Sequence, residues 1–294
     1  MLKSRLCIAF FAFAVGCAPA QKPLTDYVNP MLGTATLWDS VDLGFKPTKR
    51  TWGAEVFPGS SLPNAMVQVS PVTKFHSGAG YQYEDSVIYG FTHTNKGHWN
   101  LCHIPLLPVT GTPTPGDYCS PFSHERESAA PGYYQVFLDR YGVDAQLSST
   151  LRCAFHKYTY PAGAAASLLA DLQRSNEHVR AWDIRKEGDN VFAGWQQTGE
   201  KMYFYAVANR PVTGIEPVVE GDREVRIVRF GEGDGALELR IGFSFVSEKN
   251  ARENLEAEML GKSFAEVRSE ATATWNDLLL SLIHISEPTR RVVI

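Results

Sequence analysis

The sequence is poor in cysteine. Five of its 294 residues are cysteines, and only Cys102, Cys119 and Cys153 lie beyond the N-terminal segment. No two of them form a C-x-x-C pair, which excludes a zinc ribbon or a thioredoxin-like motif. In an exported chain, an odd number leaves at least one free thiol or one intermolecular disulfide.

An excess of charge of one sign is also lacking. Lys and Arg number 28 against 32 Asp and Glu, for a net charge of -4. The two signs are mixed along the chain without a basic stripe, which argues against nucleic acid as the main partner. With 44% apolar and 20% charged residues, the composition is that of a packed globular protein. The length suits one large β domain or two ordinary domains.

No apolar run reaches the roughly 20 residues that a membrane-spanning helix needs. A short apolar run from Leu6 to Val15 follows Lys3 and Arg5, and this pattern predicts a cleaved signal peptide over residues 1–20. Ala14 to Cys17 resembles a lipobox, in which Cys17 is lipidated and anchors the chain to a membrane. Ala18 to Ala20 resembles an ordinary cleavage site. Both alternatives predict export, to the periplasm or, with the lipid, to the outer membrane or cell surface.

What the sequence does contain is a regular strand pattern. Tyr133 to Leu138 and Val143 to Thr150 alternate with the period of two that half-buried strands show. Gly231 to Gly235, between two apolar runs, predicts a hairpin loop. The pattern predicts a large antiparallel β-sandwich over residues 21–249. Its other candidate strands are Ala65–Ser70, Cys153–Tyr160, Ser167–Asp171, Val191–Trp195, Met202–Val207, Val225–Phe230 and one or two strands in Ala236–Val246.

The period then changes to that of a helix. Asn250 to Glu253 is typical of a helix start, and Gly261 of a helix stop. Ser263 to Glu266 is a second capping box. It is followed by an apolar stripe at helical spacing, formed by Phe264, Val267, Ala271, Trp275 and Leu278. We therefore predict two linker helices over residues 250–280, after the sandwich.

The last fourteen residues, 281–294, do not continue this organisation. They resemble a string that arises when sequencing-adapter DNA is translated. The hypothesis is that this tail is not native and that the reading frame departs from the true one near Leu280.

Four segments in order carry a family resemblance: Tyr27–Thr34, Val56–Pro71, Gly80–Thr94 and Ser123–Tyr134. Together they resemble the N-terminal domain of glycoside hydrolase family 92, the exo-acting α-mannosidases. The resemblance extends to the two predicted helices.

This resemblance implies a two-part enzyme, in which a β-sandwich packs on a C-terminal helical barrel and the site lies between them. The family's catalytic carboxylates and its Ca²⁺ site belong to the helical part. Oxygen ligands suit that ion, and inversion needs two carboxyl groups roughly 6.5–9.5 Å apart. The chain would then hold no catalytic residue and no cofactor of its own. Its expected partners are mannose-containing glycans and the missing helical domain.

The resemblance places substrate contacts on a few loops. Gly59, in the turn that begins at Phe57, matches a family loop that enters the cleft, where glycine allows close approach to a ligand; the alternative is a simple turn. The family often carries Trp-Asp before its Gly-Tyr-x-Tyr strand, and this chain has Phe75 and His76 there. An aromatic ring is kept but an indole and a carboxylate are lost. The resemblance therefore does not fix the preferred linkage, and this includes the α-1,2 preference common in the family.

The segment from Phe91 to His103 is the second candidate region. The family usually reads Gly-Phe-Ser-His-Thr-His, and here Asn95 replaces the second histidine. Trp99 could stack on a sugar face, while His93 and His98 could bond hydroxyl groups. The alternative for His93 is a structural hydrogen bond.

Three further patterns permit other chemistry. His93, His98 and His103 are spaced by five, which suits a zinc site only if a loop gathers them. Ser123 to Glu125 contains the residue types of a catalytic triad, but adjacent residues cannot form its geometry, which favours local turn bonding. Glu84 and Asp85 form a carboxylate pair in a polar turn.

Three functions follow from these patterns. The first is the N-terminal part of a secreted, Ca²⁺-dependent, inverting exo-α-mannosidase. The second is a stand-alone carbohydrate-binding module. The third is a metal-dependent hydrolase that uses the histidine cluster.

Overall fold

A computed structural model describes residues 22–36, 44–46, 55–95, 101–114 and 118–285. The strands in these ranges are β1 (Ser60–Ser61), β2 (Gln68–Val72), β3 (Val87–Ile88), β4 (Gly90–Thr92), β5 (Leu106–Thr110), β6 (Ser120–Pro121), β7 (Glu127–Ala130), β8 (Tyr133–Leu138), β9 (Val143–Ser149), β10 (Cys153–Thr159), β11 (Ala166–Ala170), β12 (Ala181–Gly188), β13 (Val191–Gln197), β14 (Lys201–Ala208), β15 (Val212–Glu220), β16 (Arg223–Phe230) and β17 (Leu237–Ser244). Helices α1 (Glu248–Glu258) and α2 (Phe264–Ile285) follow, and short 3-10 helices cover Leu24–Tyr27 and His124–Arg126.

The strands form two large sheets. One has seven strands in the order β1-β2-β4-β5-β11-β16-β15, and the other has eight in the order β12-β13-β14-β17-β10-β9-β8-β7. A small sheet pairs β3 with β6. Strand pairs are antiparallel throughout the described residues, as in the β2 and β4, β10 and β17, and β11 and β16 pairs. The predicted antiparallel sandwich followed by two helices is confirmed.

One hydrophobic core fills the space between the two large sheets. It combines residues such as Phe91 and Leu168 from the seven-stranded sheet with Tyr134, Phe204 and Ile241 from the other, all fully buried. Burial of that apolar surface is the main favourable contribution to folding. A smaller cluster lies on the outer face of the eight-stranded sheet, where α1 and α2 cover it.

The predicted strands were found, with shifts at their ends. β8 has the predicted bounds, whereas β2 extends to Val72 and includes Pro71. Pro71 is tolerated because β1 pairs only with residues 68 and 69, so no neighbour on that side needs its missing N–H. No individual strand was predicted at β1, β3 to β7, β12 or β15. Half of the residues in β12 are charged, and β15 contains Gly214 and Pro217.

The predicted hairpin loop at Gly231 to Gly235 was wrong. β16 and β17, the strands on either side, belong to different sheets. β16 pairs with β11 and β15, and β17 pairs with β10 and β14. The glycine-rich segment therefore carries the chain from one layer of the sandwich to the other. The sequence of a glycine-rich loop does not show whether the two flanking strands pair with each other or lie in different sheets.

The two helices begin and end at recognisable signals. α1 starts two residues earlier than the Asn250 start, because the Ser247 side chain accepts a hydrogen bond from the Asn250 N–H at 3.1 Å. The capping box before α2 is confirmed: the N–H of Glu266 donates to Ser263, and its carboxylate accepts from the Ser263 N–H. Gly261 lies between the helices with φ of 84°.

Helix α2 joins the end of the domain to its beginning. Phe264, Val267 and Ala271 of its apolar stripe are buried, and Leu278 is 37% exposed. Trp275 donates from its indole to the carbonyl of Ser61 at 2.7 Å. Asn276 accepts from the backbone N–H of Thr25 at 2.9 Å. In the part of the chain that the structure describes, no helix is both long and apolar enough to span a membrane.

A hydrogen-bond chain through two buried histidines links the sheets. His93, just after β4, has Nδ1 2.8 Å from the carbonyl oxygen of Ile104 and Nε2 2.9 Å from Nε2 of His156. Nδ1 of His156 lies 2.5 Å from the hydroxyl of Tyr158. Since a carbonyl only accepts, His93 donates from Nδ1 and accepts at Nε2. His156 then donates from Nε2 and accepts from Tyr158, so both rings are neutral.

Burial keeps these rings neutral. It lowers the pKa of His93 to about 3, and it lowers the pKa of His156 well below its ordinary value, with the nearby His93 adding to the effect. Burial also lowers the pKa of His103 to about 4. Protonation of His93 would place its Nε2–H against the Nε2–H of His156. Protonation of His156 would require the Tyr158 hydroxyl to turn and accept instead of donate.

We expect the free energy of unfolding to fall as the pH is lowered below about 6.5. As the pH falls, these histidines take up protons at a higher pH in the unfolded chain than in the folded chain. Stability is therefore lost as the pH falls below the pKa of the unfolded chain. The slope should approach ~1.4 kcal/mol per pH unit for each buried histidine. Urea unfolding at pH 7, 6 and 5 measures this slope.

The variant His156→Gln should be less stable at pH 7, but its stability should change less steeply with pH. The control is His178→Asn, at an exposed position, which should keep the full slope. Equal slopes in the unaltered chain and both variants would refute the assignment.

Glu258 anchors α1 to the turn between β9 and β10. Its carboxylate accepts from the Thr150 hydroxyl at 2.6 Å and from the Arg152 N–H at 2.9 Å. We expect Glu258→Ala to lower the free energy of unfolding by about 1–3 kcal/mol, because it leaves both donors without this partner. The control is Glu256→Ala on the same helix, which removes only an exposed pair with Arg252 and should cost at most ~0.5 kcal/mol. Similar losses in both variants would count against the anchor.

Candidate functional site

His76 has an unusual backbone conformation for an exposed residue. It lies on the loop after β2 with φ of 57°, in the left-handed region that costs an L-residue roughly 1–2 kcal/mol. Such a conformation persists only where the surrounding structure holds it, and it clusters at binding sites.

Asn176 supplies that support from a loop 100 residues away. Its Oδ1 accepts the His76 N–H at 2.7 Å, its backbone carbonyl lies 3.1 Å from Nδ1 of His76, and its Nδ2 donates to the carbonyl of Ser77 at 3.0 Å. Its own N–H donates to the carbonyl of Leu101. Asn176 is buried, so the two loops are held together by a desolvated set of hydrogen bonds.

The same bonds fix the tautomer of His76. Nδ1 must donate, because its partner is a carbonyl oxygen. In the neutral ring Nε2 is then an acceptor, and the exposed ring offers it to a ligand in a fixed orientation.

His76 lies at one wall of a polar cleft of 610 Å³. The cleft opens between β12, the edge strand of the eight-stranded sheet, and β16 of the other sheet, and the loop before β12 closes it. Its lining consists of His76, Gln173, Arg174, Ser175, Glu177, His178, Val179, Arg180, Ala181, Trp182, Asp183, Glu224 and Arg226.

Phe75 is adjacent to His76 in sequence but contacts different groups. Its ring is 8% exposed and belongs to a cluster with Val72 and Cys102. The Arg174 guanidinium lies 4.3 Å from its centroid and Tyr89 6.3 Å. It borders a second, smaller cavity of 450 Å³ on the other side of Arg174. Phe75 thus supports Arg174 between the two cavities.

Gly59 lies apart from both residues. A Cβ at this position would collide with the backbone of Val69 and Ser70 in β2, so glycine is required for close approach of two backbone segments. Gly59 also borders an apolar pocket of 180 Å³ with Trp275 and Leu279 of α2.

The geometry favours the structural alternative for His93. The side chain is 0% exposed, and both ring nitrogens are used within the core. The ring nitrogens of His103 are likewise engaged, by Thr94 at 2.8 Å and Thr198 at 2.9 Å. No group of three His, Cys, Asp or Glu side chains in the described ranges could hold a metal ion. His98, Trp99 and Cys17 lie outside the described residues, and their roles stay predictions.

The other polar patterns hold loops in place. Ser123 caps the 3-10 helix by accepting from the Glu125 N–H at 3.2 Å, which confirms local turn bonding. Glu84 accepts from Thr36, and Asp85 accepts from Thr73, so each carboxylate of this pair has a structural partner.

The sequence reading missed a buried carboxylate next to these loops. Glu127, with 1% of its side chain exposed, accepts hydrogen bonds from Tyr81, Tyr134 and His124. Burial raises the pKa of Tyr81 well above its ordinary value, and the charge of Glu127 raises it further. Arg174, Asn176 and Trp182 were not predicted either. The available signal was the polar run from Asp171 to His178, which is long for a link between two strands.

Comparison with known proteins gives the family. Residues 27–254 match the model of the glycosyl hydrolase family 92 N-terminal domain. An uncharacterized secreted glycosidase of Arthroderma benhamiae is 24% identical over 86% of this chain and 37% of its own length.

Solved structures agree with the sequence comparison. A family GH92 α-mannosidase of Bacteroides thetaiotaomicron superimposes with a TM-score of 0.75 at 25% identity, over 87% of this chain and 38% of that one. An inverting mannosidase of the same family and organism gives 0.71 at 23% identity, over 86% and 36%. The chain thus spans less than two fifths of the length of these relatives. It belongs to glycosyl hydrolase family 92, and its match is to the N-terminal domain of that family.

Proposed function

We propose that this chain is the N-terminal part of an exported exo-α-mannosidase, where it supports the sugar-binding site. The family match and the likeness to an α-mannosidase support the reaction class. Hydrolysis belongs to the whole protein, and this part alone is inactive.

The observation that carries the proposal is the support of His76 by Asn176. A strained backbone, a fixed ring and an exposed acceptor nitrogen together form a contact that is ordered before the ligand arrives. Such order lowers the entropy cost of binding. Phe75 and His76 stand where the family often has Trp-Asp, so His76 replaces a carboxylate as the acceptor for a sugar hydroxyl.

Calcium and inversion belong to the same proposal but to another part of the protein. The described residues bring together no cluster of three metal-ligating side chains of the kinds His, Cys, Asp and Glu. We assign the Ca²⁺ site and both catalytic carboxylates to the C-terminal region. This chain's own contribution, hydroxyl recognition and loop support, does not depend on the ion.

Export follows from the N-terminal pattern, and the secreted glycosidase of Arthroderma benhamiae supports it. Lipidation at Cys17 is part of the proposal and would tether the protein to a membrane surface by its first residue after cleavage. Mass spectrometry of the membrane fraction tests it, since Cys17→Ser would abolish both the lipid and the tether.

A stand-alone carbohydrate-binding module is the second candidate, and the polar cleft next to His76 favours it over other non-catalytic roles. A metal-dependent hydrolase with His93, His98 and His103 has less support, because the ring nitrogens of His93 and His103 bind other groups.

An apolar surface marks where the C-terminal region would pack. Residues 27–32 lie beside the end of α2, where Val28 and Pro30 border one pocket with Trp275 and Leu279. Both segments leave large side chains in solvent. They are Tyr27, Val28, Leu32, Leu278 and Leu280, with 37–80% of each exposed. Exposed patches of this kind mark interaction sites or cause association.

The chain alone should release no mannose from α-linked mannobiose. A product that continues past Leu280 into the C-terminal region should release it, lose activity in EDTA and recover with CaCl₂. ¹H NMR should show β-mannose first, because inversion changes the anomeric configuration. Mannose release by the chain alone, or a longer product that acts on no α-mannoside, would refute the proposal.

We also expect the isolated chain to self-associate through the apolar surface. Leu32→Glu with Leu280→Glu should raise the monomer fraction in sedimentation velocity at a given concentration, since charge opposes burial of the patch. The matched control is Val219→Glu, which changes an exposed residue of β15 and should leave association unchanged. If the unaltered chain, the double variant and Val219→Glu associate equally, the surface that causes association lies elsewhere.

A further inference from the structure

The polar cleft beside His76 has a balanced set of charges. Three guanidinium groups, from Arg174, Arg180 and Arg226, stand against three carboxylates. Two of the arginines are already engaged within the protein: Arg226 pairs with Glu224, and Arg174 contacts Phe75 and Tyr89. The charged side chains of the lining show no excess of either sign that would select a phosphate or a cation, which favours an uncharged polar ligand.

The cleft offers free hydrogen-bonding groups in addition to Nε2 of His76. The side chains of His178 and Arg180 and the indole N–H of Trp182 have no hydrogen-bond partner among the residues that the structure describes. These groups present donors and an acceptor at several points of the lining. A ligand with many hydroxyl groups satisfies such a lining, because each hydroxyl both donates and accepts.

Trp182 gives the cleft an apolar contact. It is half-buried on the inner face of β12, packed against the core, with the Arg226 guanidinium 4.9 Å from its ring centroid. Apolar lining is otherwise limited to Val179 and Ala181. A single ring among polar groups suits a sugar, which has apolar C–H faces and polar edges; small-molecule sites commonly combine the two features.

The cleft is larger than one sugar. A hexose has twelve non-hydrogen atoms, and even if each took the roughly 30 Å³ of a water molecule in the liquid, much of the cleft would remain empty. Its volume is 610 Å³. A ligand that fills it has more than one hexose unit.

We propose that the cleft between β12 and β16 binds an uncharged oligosaccharide of at least two sugar units, with Trp182 against one ring and His76 at the end nearest the β2 loop. The assignment of mannose as its sugar rests on the proposed function. The cleft thereby selects glycan chains over single mannosides.

Two tryptophans provide a matched pair for the test. In the register of β12 and β13, Trp182 stands opposite Gln196 and Trp195 stands opposite Asp183. The two indoles therefore point to opposite faces of one sheet, and only Trp182 lines the cleft. Trp195 carries Lys201 over its ring at 3.8 Å.

The experiment titrates the purified chain with α-linked mannotriose, methyl α-mannoside and cellotriose by isothermal calorimetry. Mannotriose should bind at least about tenfold more tightly than methyl α-mannoside. Trp182→Ala and His76→Ala should each weaken mannotriose binding about fivefold or more, and Trp195→Ala should leave it unchanged. In the unaltered chain, ¹H–¹⁵N spectra should show the indole signal of Trp182 shifting with mannotriose while that of Trp195 stays. This keeps the test independent of whether Trp182→Ala folds.

Equal affinity for mannotriose and methyl α-mannoside would overturn the proposal, and so would the absence of oligosaccharide binding or binding that moves only the Trp195 signal. Cellotriose binding that depends on Trp182, without mannotriose binding, would support the oligosaccharide cleft while refuting the mannoside part of the proposed function.

Discussion

A hydrogen-bond chain in one direction crosses the hydrophobic core, from the hydroxyl of Tyr158 through His156 and His93 to the carbonyl of Ile104. Each member has one arrangement of protons that satisfies its neighbours. The two sheets can therefore approach only with their strands in the observed register, because a shift of one residue would turn His156 out of the core. The loops after β2 and β4 begin on this frame, and their positions depend on it.

At the candidate site, one loop is held in place by another loop instead of by a strand. Asn176 uses its side chain and backbone together to hold residues 76, 77 and 101. Because Asn176 is buried, these bonds are made without competing water, and a lost partner would leave a desolvated polar group. The strain at His76 is thereby maintained in the absence of a ligand.

Much of the fold could be predicted from the sequence, and most of the site could not. The alternation in β8 and β9 and the capping box at Ser263 are local patterns. They depend on residues close in sequence, so the folded structure keeps them. The crossing at Gly231–Gly235 is decided by which distant strand each neighbour pairs with, and a loop's sequence does not contain that. His93 looked like a ligand group because histidine chemistry is read from residue type, whereas its burial is set by both sheets. Asn176 gained its role from a contact across 100 residues. Trp182 was not predicted because it lies in β12, a strand that was not recognised among its charged, outward-facing residues.

The hydrogen bond between Thr25 and Asn276 spans 251 residues, and this has a consequence for the order of folding. The segment around Thr25 cannot dock on α2 until the ribosome has completed that helix, so an early segment of the chain is among the last to be placed. Closing so long a loop costs little more than closing one half its length, since the entropic cost rises only with the logarithm of length. The slow part is the search, because contacts between distant residues lower folding rates. Until α2 is made, the N–H of Thr25 lacks the Asn276 acceptor that it has in the folded domain.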